Sequence, residues 1–334
     1  MSHSAVIVAP AGTTLSPEER AFFAEAAPWG FILFTRNLTS HDQIRALCND
    51  LRDAVGYDAP ILIDQEGGRV QRLRPPLARD WNPPLKDVAR LGKHAAKGMY
   101  LRARIIAWEL LDLGIDVNCI PTLDVAGSDT HPFLRNRCYG ETLEDVVSVG
   151  HAVAGGLLDG GVLPVIKHMP GHGRGRVDSH VELPHTKALV EELRASDFAA
   201  FAALSDMPLG MSAHMIFEDV DPYFPATQSE RMIHLIRAEL GFDGLLMTDD
   251  ISMEALSGTV AERGLAAIRA GCDVVLHSNG RMDEMSALVE AVGTMSEDAA
   301  LRGKAALAYR QTPAPVDISE LAAQFEALLA GSGE

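Results

Sequence analysis

The chain of 334 residues is 47% hydrophobic and 22% charged, which are ordinary proportions for a globular enzyme. Its formal net charge of −17 would repel a nucleic-acid backbone and an anionic membrane surface, so neither is expected as a partner. No apolar stretch approaches the ~20 residues of a membrane span, and the N-terminus lacks the basic start of a signal peptide. The four cysteines show no CxxC spacing. These features predict a cytoplasmic protein with free thiols.

Eight short apolar runs alternate with helical patterns along the chain and are typical of buried β-strands. Helix starts are indicated by Ser16-Pro17 and by Thr142, and helix ends by Gly114 and Gly241. The predicted strands lie at residues 5–8, 30–34, 60–64, 116–120, 163–167, 209–212, 244–248 and 273–276.

Eight strands that alternate with helices predict a closed (β/α)₈ barrel, because parallel neighbours need a crossover helix between them. An open doubly wound sheet is the alternative, but no GxGxxG motif follows the first strand. We therefore predict an α/β fold in which residues 1–334 form a single catalytic TIM-type barrel domain. Two further helical patterns, at about 299–330, are expected to pack outside the barrel as a C-terminal extension.

Charged or ionisable residues stand at or just after the ends of five predicted strands. On a barrel these ends meet at the C-terminal rim, where barrel enzymes hold their active sites. A ring of donors and acceptors suits a polyhydroxylated ligand, because each hydroxyl both donates and accepts a hydrogen bond. In chain order the residues are Asp64 and Arg72, then Asp124 and Arg137, then Lys167 and His168, then His214, and finally Asp249 and Asp250.

The segment KHMPGHGRGRVDSH at 167–180 is the densest group of reactive side chains, in a glycine-rich loop after a predicted strand. Cleavage at an anomeric carbon needs a carboxylate on one face and a proton donor for the leaving oxygen. His180 could be that donor, because an imidazole titrates near neutral pH, and Asp178 could orient it. The pair Asp178-Ser179 is equally compatible with a simple turn.

Asp249 and Asp250 are both candidates for the carboxylate. Neighbouring residues of a strand point to opposite faces, so only one of the two can face a pocket. The pattern alone does not decide between them.

Four segments together, in this order, resemble those of the family 3 glycoside hydrolases, in particular the single-domain bacterial β-N-acetylglucosaminidases of cell-wall recycling. The resemblance implies a retaining double displacement with Asp249 as nucleophile and His180 as acid/base, oriented by Asp178, and no metal or cofactor. Asp124 and His214 stand at motif positions with less certain roles. The segments are IDQEGGRVQR at 63–72, RNRCYG at 135–140, KHMPGHG…DSH at 167–180 and GFDGLLMTDDISM at 241–253. The implied sugar contacts are Asp64, Arg72, Arg137, Lys167 and His168.

The resemblance further implies exo-acting removal of terminal N-acetylglucosamine from peptidoglycan fragments, GlcNAc-1,6-anhydro-MurNAc with or without peptide. A β-glucosidase or β-xylosidase of the same family is an alternative. Phosphorolysis is another, because an imidazole acid/base does not repel phosphate as a carboxylate would. Outside the family, two alternatives remain: a sugar-binding barrel without turnover, and a metal-dependent hydrolase. The ligands of the latter would be His168, His172, His180 and Asp249.

Overall fold

The computed structural model of the chain describes residues 3–177, 182–313 and 315–331. Eight of the strands in these ranges are parallel neighbours and close into a barrel in the order β1, β2, β3, β6, β7, β9, β11 and β12. This confirms the predicted (β/α)₈ fold. The strands are β1 (Ser4–Val8), β2 (Pro28–Leu33), β3 (Ile61–Ile63), β4 (Gln65–Gly67), β5 (Val70–Gln71), β6 (Val117–Asn118), β7 (Leu163–Met169), β8 (His185–Thr186), β9 (Leu209–Ser212), β10 (Ile216–Phe217), β11 (Leu245–Asp250) and β12 (Val274–His277).

The helices of the described ranges lie mostly between successive barrel strands. Ser16 caps α1 in a reciprocal pair with Glu19, and Thr142 caps α6, as the sequence predicts. None of these helices combines the length and the apolar character of a membrane span. The helices are α1 (Pro17–Ala26), α2 (His41–Val55), α3 (Pro84–Leu91), α4 (Ala95–Asp112), α5 (Pro132–Arg135), α6 (Leu143–Asp159), α7 (Val190–Ala195), α8 (Asp197–Ala203), α9 (Glu230–Ala238), α10 (Val260–Ala270), α11 (Met282–Val292), α12 (Glu297–Leu307) and α13 (Ile318–Gly331).

Alternate residues of each barrel strand point into the barrel and out toward the helices, which gives two apolar layers. On β11, Leu245 and Met247 belong to the inner layer and Leu246 to the outer one. Two residues further along, Asp249 therefore falls on the inner side at the C-terminal rim. The same alternation on β7 brings Lys167 to the inner side.

Two small sheets accompany the barrel. β4 and β5 form an antiparallel hairpin directly after β3, and β8 pairs with β10 in parallel. Neither sheet is predicted from the sequence, because strands of two or three residues carry no hydrophobic periodicity.

The two C-terminal helices follow α11, the helix after the last barrel strand. α12 packs at the N-terminal end of the barrel, where a Cβ on Gly303 would lie 2.7 Å from the indole nitrogen of Trp29. α13 packs on α4, and its Phe325 meets Trp81 edge-on at a centroid distance of 5.5 Å. That residues 1–334 act as one catalytic domain stays a prediction.

Candidate active site

A cavity of about 390 Å³ opens at the C-terminal end of the barrel. This volume lies within the range of small-molecule sites. Asp124 and His214, which the sequence also places at this rim, do not line the cavity. The predicted nucleophile and sugar contacts all line it, although these residues are up to 185 positions apart in the sequence (249 − 64). They are Asp64, Arg72, Arg137, Lys167, His168 and Asp249.

Asp178 and His180, the predicted acid/base pair, lie outside the described residues. The loop that leads toward them leaves β7 through two glycines whose backbones need that residue type. Gly171 has a φ of +137°, which L side chains rarely adopt, and a Cβ on Gly173 would lie 1.9 Å from the carbonyl oxygen of Val125. The start of the loop is therefore packed closely against the segment that follows β6.

A second, larger cavity of about 710 Å³ lies on the loops after β6 and β7. It is lined by none of the predicted site residues that the structure describes, and its Arg174 guanidinium is paired with Asp197 at 2.8 Å. We therefore place the chemistry in the smaller cavity, where ionisable groups converge.

Lys167 is the centre of a buried ion cluster in the cavity wall. Its Nζ lies 2.9 Å from Oδ1 of Asp64 and 2.6 Å from Oε1 of Glu66. The other oxygen of Asp64 accepts from Arg72 at 2.9 Å. Arg137 binds Glu66 with two donors, at 2.8 and 2.9 Å. Two carboxylates thus alternate with three cations, which fixes the direction of each side chain.

The charges in this cluster keep its members ionised. Burial alone would raise the pKa of Asp64, but Lys167 and Arg72 outweigh it and hold that pKa well below its usual range. Burial likewise opposes ionisation of Glu66, and Arg137 and Lys167 lower its pKa. The pKa of Lys167 is raised despite its burial, because both carboxylates favour the ammonium.

Glu66 is the member of this cluster that is not among the site residues predicted from the sequence. Its side chain is 1% exposed, and it lies on β4 within the quoted segment IDQEGGRVQR. The available signal was its spacing: Glu66 follows Asp64 by two residues. An extended chain can therefore present both carboxylates to one cation.

His168 is held in one tautomer by its two partners. A guanidinium can only donate, so Nε2 of His168 accepts from Arg137 at 3.2 Å, and Nδ1 carries the proton. That proton is donated to Oδ2 of Asp124 at 2.8 Å. Asp124 is fully buried, and burial raises its pKa, but its contacts with His168 and His172 lower it overall. Asp124 therefore orients His168 from behind the cavity wall.

His172 also lines the cavity, and its amide donates to Oδ1 of Asp124 at 2.6 Å. Burial and the neighbouring His168 lower the pKa of His172 to about 4, so its ring is neutral at physiological pH. Its Nδ1 is buried and has no hydrogen-bond partner among the described residues. His172 therefore contributes a neutral ring to the cavity wall.

Both adjacent aspartates of β11 line the cavity, so the expectation that only one would face it is wrong; the strand register shifts between Met247 and Asp250, which breaks the strict alternation. Their hydrogen bonds nevertheless distinguish them. Both oxygens of Asp250 accept hydrogen bonds from the hydroxyls of Ser252 and Ser278, and Oδ1 also accepts from their amides. Oδ1 of Asp249 accepts only the amide of Asp250, at 2.8 Å. Oδ2 of Asp249 has no hydrogen-bond partner in the described part of the chain. Asp249 is thus the aspartate of the pair with an oxygen free to react.

Asp249 is ionised at neutral pH. Burial would raise its pKa, but His168, His214, the amide of Asp250 and Lys167 together lower it to about 2. An anionic oxygen that no described residue engages, on the inner side of the barrel, can act as a nucleophile toward an electrophilic carbon in the cavity.

Aromatic rings form another part of the cavity wall. The guanidinium carbon of Arg72 lies 4.9 Å from the centroid of Phe34, and that of Arg69 lies 3.8 Å from the centroid of Phe133. Leu276 adds apolar surface. A ligand with polar edges and apolar faces, such as a pyranose, fits this lining.

Of the four ligands that a metal-dependent hydrolase would use, the structure describes His168, His172 and Asp249, and His180 lies outside the described residues. His168 has both ring nitrogens engaged, with Asp124 and Arg137. In the described ranges no three His, Cys, Asp or Glu side chains are grouped to hold a metal ion.

Residues 11–305 match the Glycosyl hydrolase family 3 N terminal domain. A β-hexosaminidase of Methylococcus capsulatus is 36% identical over 273 residues, which is 80% of each chain. One from Pseudomonas aeruginosa is 34% identical over 318 residues and is covered to 92% of its length.

Among solved structures, the fold is similar to NagZ from Neisseria gonorrhoeae in complex with N-trifluoroacetyl-D-glucosamine. The TM-score is 0.85 at 29% identity, with 99% of this chain and 97% of that one covered. A family 3 β-N-acetylglucosaminidase from Paenibacillus has a TM-score of 0.86 at 30% identity, with 97% of this chain and 67% of that one covered. The family match, the curated relatives and the similar solved structures all agree. The chain therefore belongs to glycosyl hydrolase family 3 and is a glycoside hydrolase.

Proposed function

We propose that the protein is a retaining, exo-acting β-N-acetylglucosaminidase that removes terminal N-acetylglucosamine from peptidoglycan fragments in the cytoplasm, above all from GlcNAc-1,6-anhydro-MurNAc with or without its peptide. The names of its relatives support the activity on N-acetylhexosamines. The mechanism is supported chiefly by the state of Asp249. Its carboxylate is ionised, its Oδ2 has no hydrogen-bond partner among the described residues, and it lines a cavity of about 390 Å³.

The reaction has two steps. In the first, Oδ2 of Asp249 attacks the anomeric carbon while protonated His180 donates its proton to the departing glycosidic oxygen. The bond electrons leave with that oxygen, and a covalent glycosyl-aspartate forms. In the second, neutral His180 takes a proton from water, whose oxygen displaces Asp249 from the anomeric carbon. Asp178 orients His180 in both steps.

The buried ion cluster binds the sugar hydroxyls. An ammonium has three donors, and Lys167 uses one for Asp64 and one for Glu66, so its third can serve a hydroxyl. The Nη1 group of Arg137 has no acceptor among the described residues, and Arg137 lines the same cavity. Asp64 can accept a hydroxyl proton, which gives the hydroxyls both donors and acceptors.

The substrate class is tested by comparing an aryl β-N-acetylglucosaminide with the aryl β-glucoside, each with and without a chelator. We expect cleavage of the aminosugar only, unaffected by chelation, with the β-anomer as first product. Cleavage of the glucoside alone would contradict the aminosugar assignment. Loss of activity on prolonged chelation would favour the metal-dependent hydrolase, and cleavage of neither substrate by folded protein would favour a sugar-binding barrel.

The peptidoglycan assignment is tested with GlcNAc-1,6-anhydro-MurNAc in phosphate buffer. Release of free N-acetylglucosamine is expected. Release of its 1-phosphate would mean that phosphate replaces water in the second step. If the aryl aminosugar is cleaved and the disaccharide is not, the physiological substrate lies elsewhere.

Replacement of His180 by alanine is expected to slow poor leaving groups far more than good ones. A phenolate with strongly electron-withdrawing substituents leaves without a proton, whereas a sugar alkoxide needs one, and acid catalysis contributes about 10²- to 10⁴-fold. The measurement is kcat/KM for a series of aryl aminosugars plotted against leaving-group pKa. The exposed His151 on α6 provides the control, since His151→Ala leaves the slope unchanged. Equal losses across the series would leave His180 without a role as acid.

A further inference from the structure

His214 is fully buried and is not among the residues that line the cavity. It follows β9, the barrel neighbour of β11, which carries Asp249. Its Nδ1 lies 2.8 Å from Oγ1 of Thr227, and its Nε2 lies 3.0 Å from the main-chain oxygen of Asp250. With both ring nitrogens engaged, the imidazole has one orientation.

The proton positions follow from these partners. A carbonyl oxygen only accepts, so Nε2 of His214 donates to Asp250. Burial lowers the pKa of His214, so the ring is neutral and Nδ1 accepts the hydroxyl proton of Thr227. Ser212, at 2.8 Å, then donates to Oγ1 of Thr227. The carbonyl of Ala213 is also 3.0 Å from that hydroxyl, but the hydroxyl has a single proton, and an unprotonated Nδ1 at 2.8 Å can only accept it. The Ala213 carbonyl still accepts the Thr227 amide at 3.2 Å. Consecutive hydrogen bonds thus connect Ser212 at the end of β9, through Thr227 and His214, to the carbonyl of Asp250.

The carbonyl that receives the His214 proton belongs to the residue whose amide contacts Asp249. The same carbonyl closes a local turn with the amide of Met253 at 3.2 Å, a bond that moves with the turn. The Asp250 side chain is anchored on the opposite side, by Ser278 after β12. His214 therefore supplies the anchor from the β9 side.

We propose that His214 is a positioning residue for the reaction: by holding the carbonyl of Asp250 it keeps the Asp250 amide aimed at Oδ1 of Asp249, and Oδ2 remains directed at the anomeric carbon. This inference rests on the proposed role of Asp249 as nucleophile. Without the bond, the backbone of Asp250 can rotate, and the carboxylate of Asp249 samples unproductive orientations. A displacement of about 1 Å at a reacting group costs on the order of 100-fold in rate.

The test compares His214→Leu with His214→Gln on an aryl β-N-acetylglucosaminide. Leucine removes both hydrogen bonds, whereas the amide nitrogen of glutamine can reach the position of Nε2 and donate to Asp250. We expect His214→Leu to lower kcat by about ten- to one-hundredfold. KM and the inhibition constant of N-acetylglucosamine should change by less than about threefold, because no sugar contact is removed. His214→Gln should recover most of kcat.

Full kcat in His214→Leu, equal losses in both variants, or a parallel loss of N-acetylglucosamine binding would overturn the positioning role. If His214→Leu does not fold, Thr227→Val is compared with Thr227→Ser instead. Valine removes the hydroxyl that donates to Nδ1 of His214, whereas serine keeps it. Thr227→Val should therefore slow turnover, and Thr227→Ser should not. Wild type and Asp249→Ala are assayed in parallel. Retained turnover in Asp249→Ala would overturn the proposed nucleophile itself, an outcome distinct from failure of the His214 variants alone.

Discussion

Asp249→Ala is expected to lower kcat by at least about 10⁴-fold, even for activated aryl aminosugars. The substitution removes the oxygen that we propose forms the covalent intermediate, and no described carboxylate is free in its place. Asp250 has both oxygens bound by Ser252 and Ser278, and Asp64 is held by Lys167 and Arg72. The measurement is steady-state turnover together with a melting curve, which should still show one cooperative transition.

Asp249→Asn provides the matched control for local structure. An asparagine Oδ1 can still accept the amide of Asp250, so the turn after β11 is kept while the nucleophile is lost. We expect this variant to be as inactive as Asp249→Ala.

Chemical rescue separates a lost nucleophile from a damaged site. In Asp249→Ala the space of the carboxylate can admit azide, which attacks the anomeric carbon of an activated aryl aminosugar directly. The product is then a glycosyl azide of inverted, α configuration. Rescue should be absent in Asp249→Asn, where the amide fills the space. Turnover of Asp249→Ala without azide, or a β-configured azide, would contradict the role of Asp249.

The sequence predicted the barrel well because its strands are apolar runs with clear limits. β9 occupies 209–212, as predicted, and the other seven barrel strands overlap their predicted ranges. β6 is shorter than predicted, Val117–Asn118 rather than 116–120, and Pro121 shortly after it has no amide to donate to a neighbouring strand. The hairpin of β4 and β5 is not predicted from the sequence, because its strands are too short to show alternation.

The site was predictable where it depends on strand ends and less so where it depends on tertiary contacts. The placement of Lys167 and Asp249 in one cavity follows from the alternation of β7 and β11 once the inner face is known. Glu66 could not be predicted in this way, because it lies in a glycine-rich segment typical of a turn. Its role in binding Arg137 depends on a tertiary contact between residues 71 positions apart. The bond between His214 and Thr227 likewise joins residues 13 positions apart that no local pattern connects.

Lys167→Met is expected to have the largest effect on stability and to remove activity as well. The ammonium sits between two buried carboxylates, and methionine would fill its volume without its charge. Removing one partner of a buried ion pair costs about 3–5 kcal/mol of unfolding free energy. Arg72 still faces Asp64 and Arg137 still faces Glu66, so we expect the variant to fold. Denaturant titration measures the loss, and Lys93→Met on the exposed surface is the matched control.

The pH dependence of this loss gives a sharper test. In the wild type the folded-state pKa values of Asp64 and Glu66 are lowered, so their contribution to stability is present above the ordinary carboxyl pKa of about 4 and is lost as the pH falls. Without Lys167 both folded pKa values rise, and a protonated carboxyl no longer needs the cation. The difference in unfolding free energy between wild type and Lys167→Met should therefore narrow from pH 8 toward pH 4. A difference that is constant with pH would mean that the lysine stabilises the fold by packing, and that the cluster does not act through its charges.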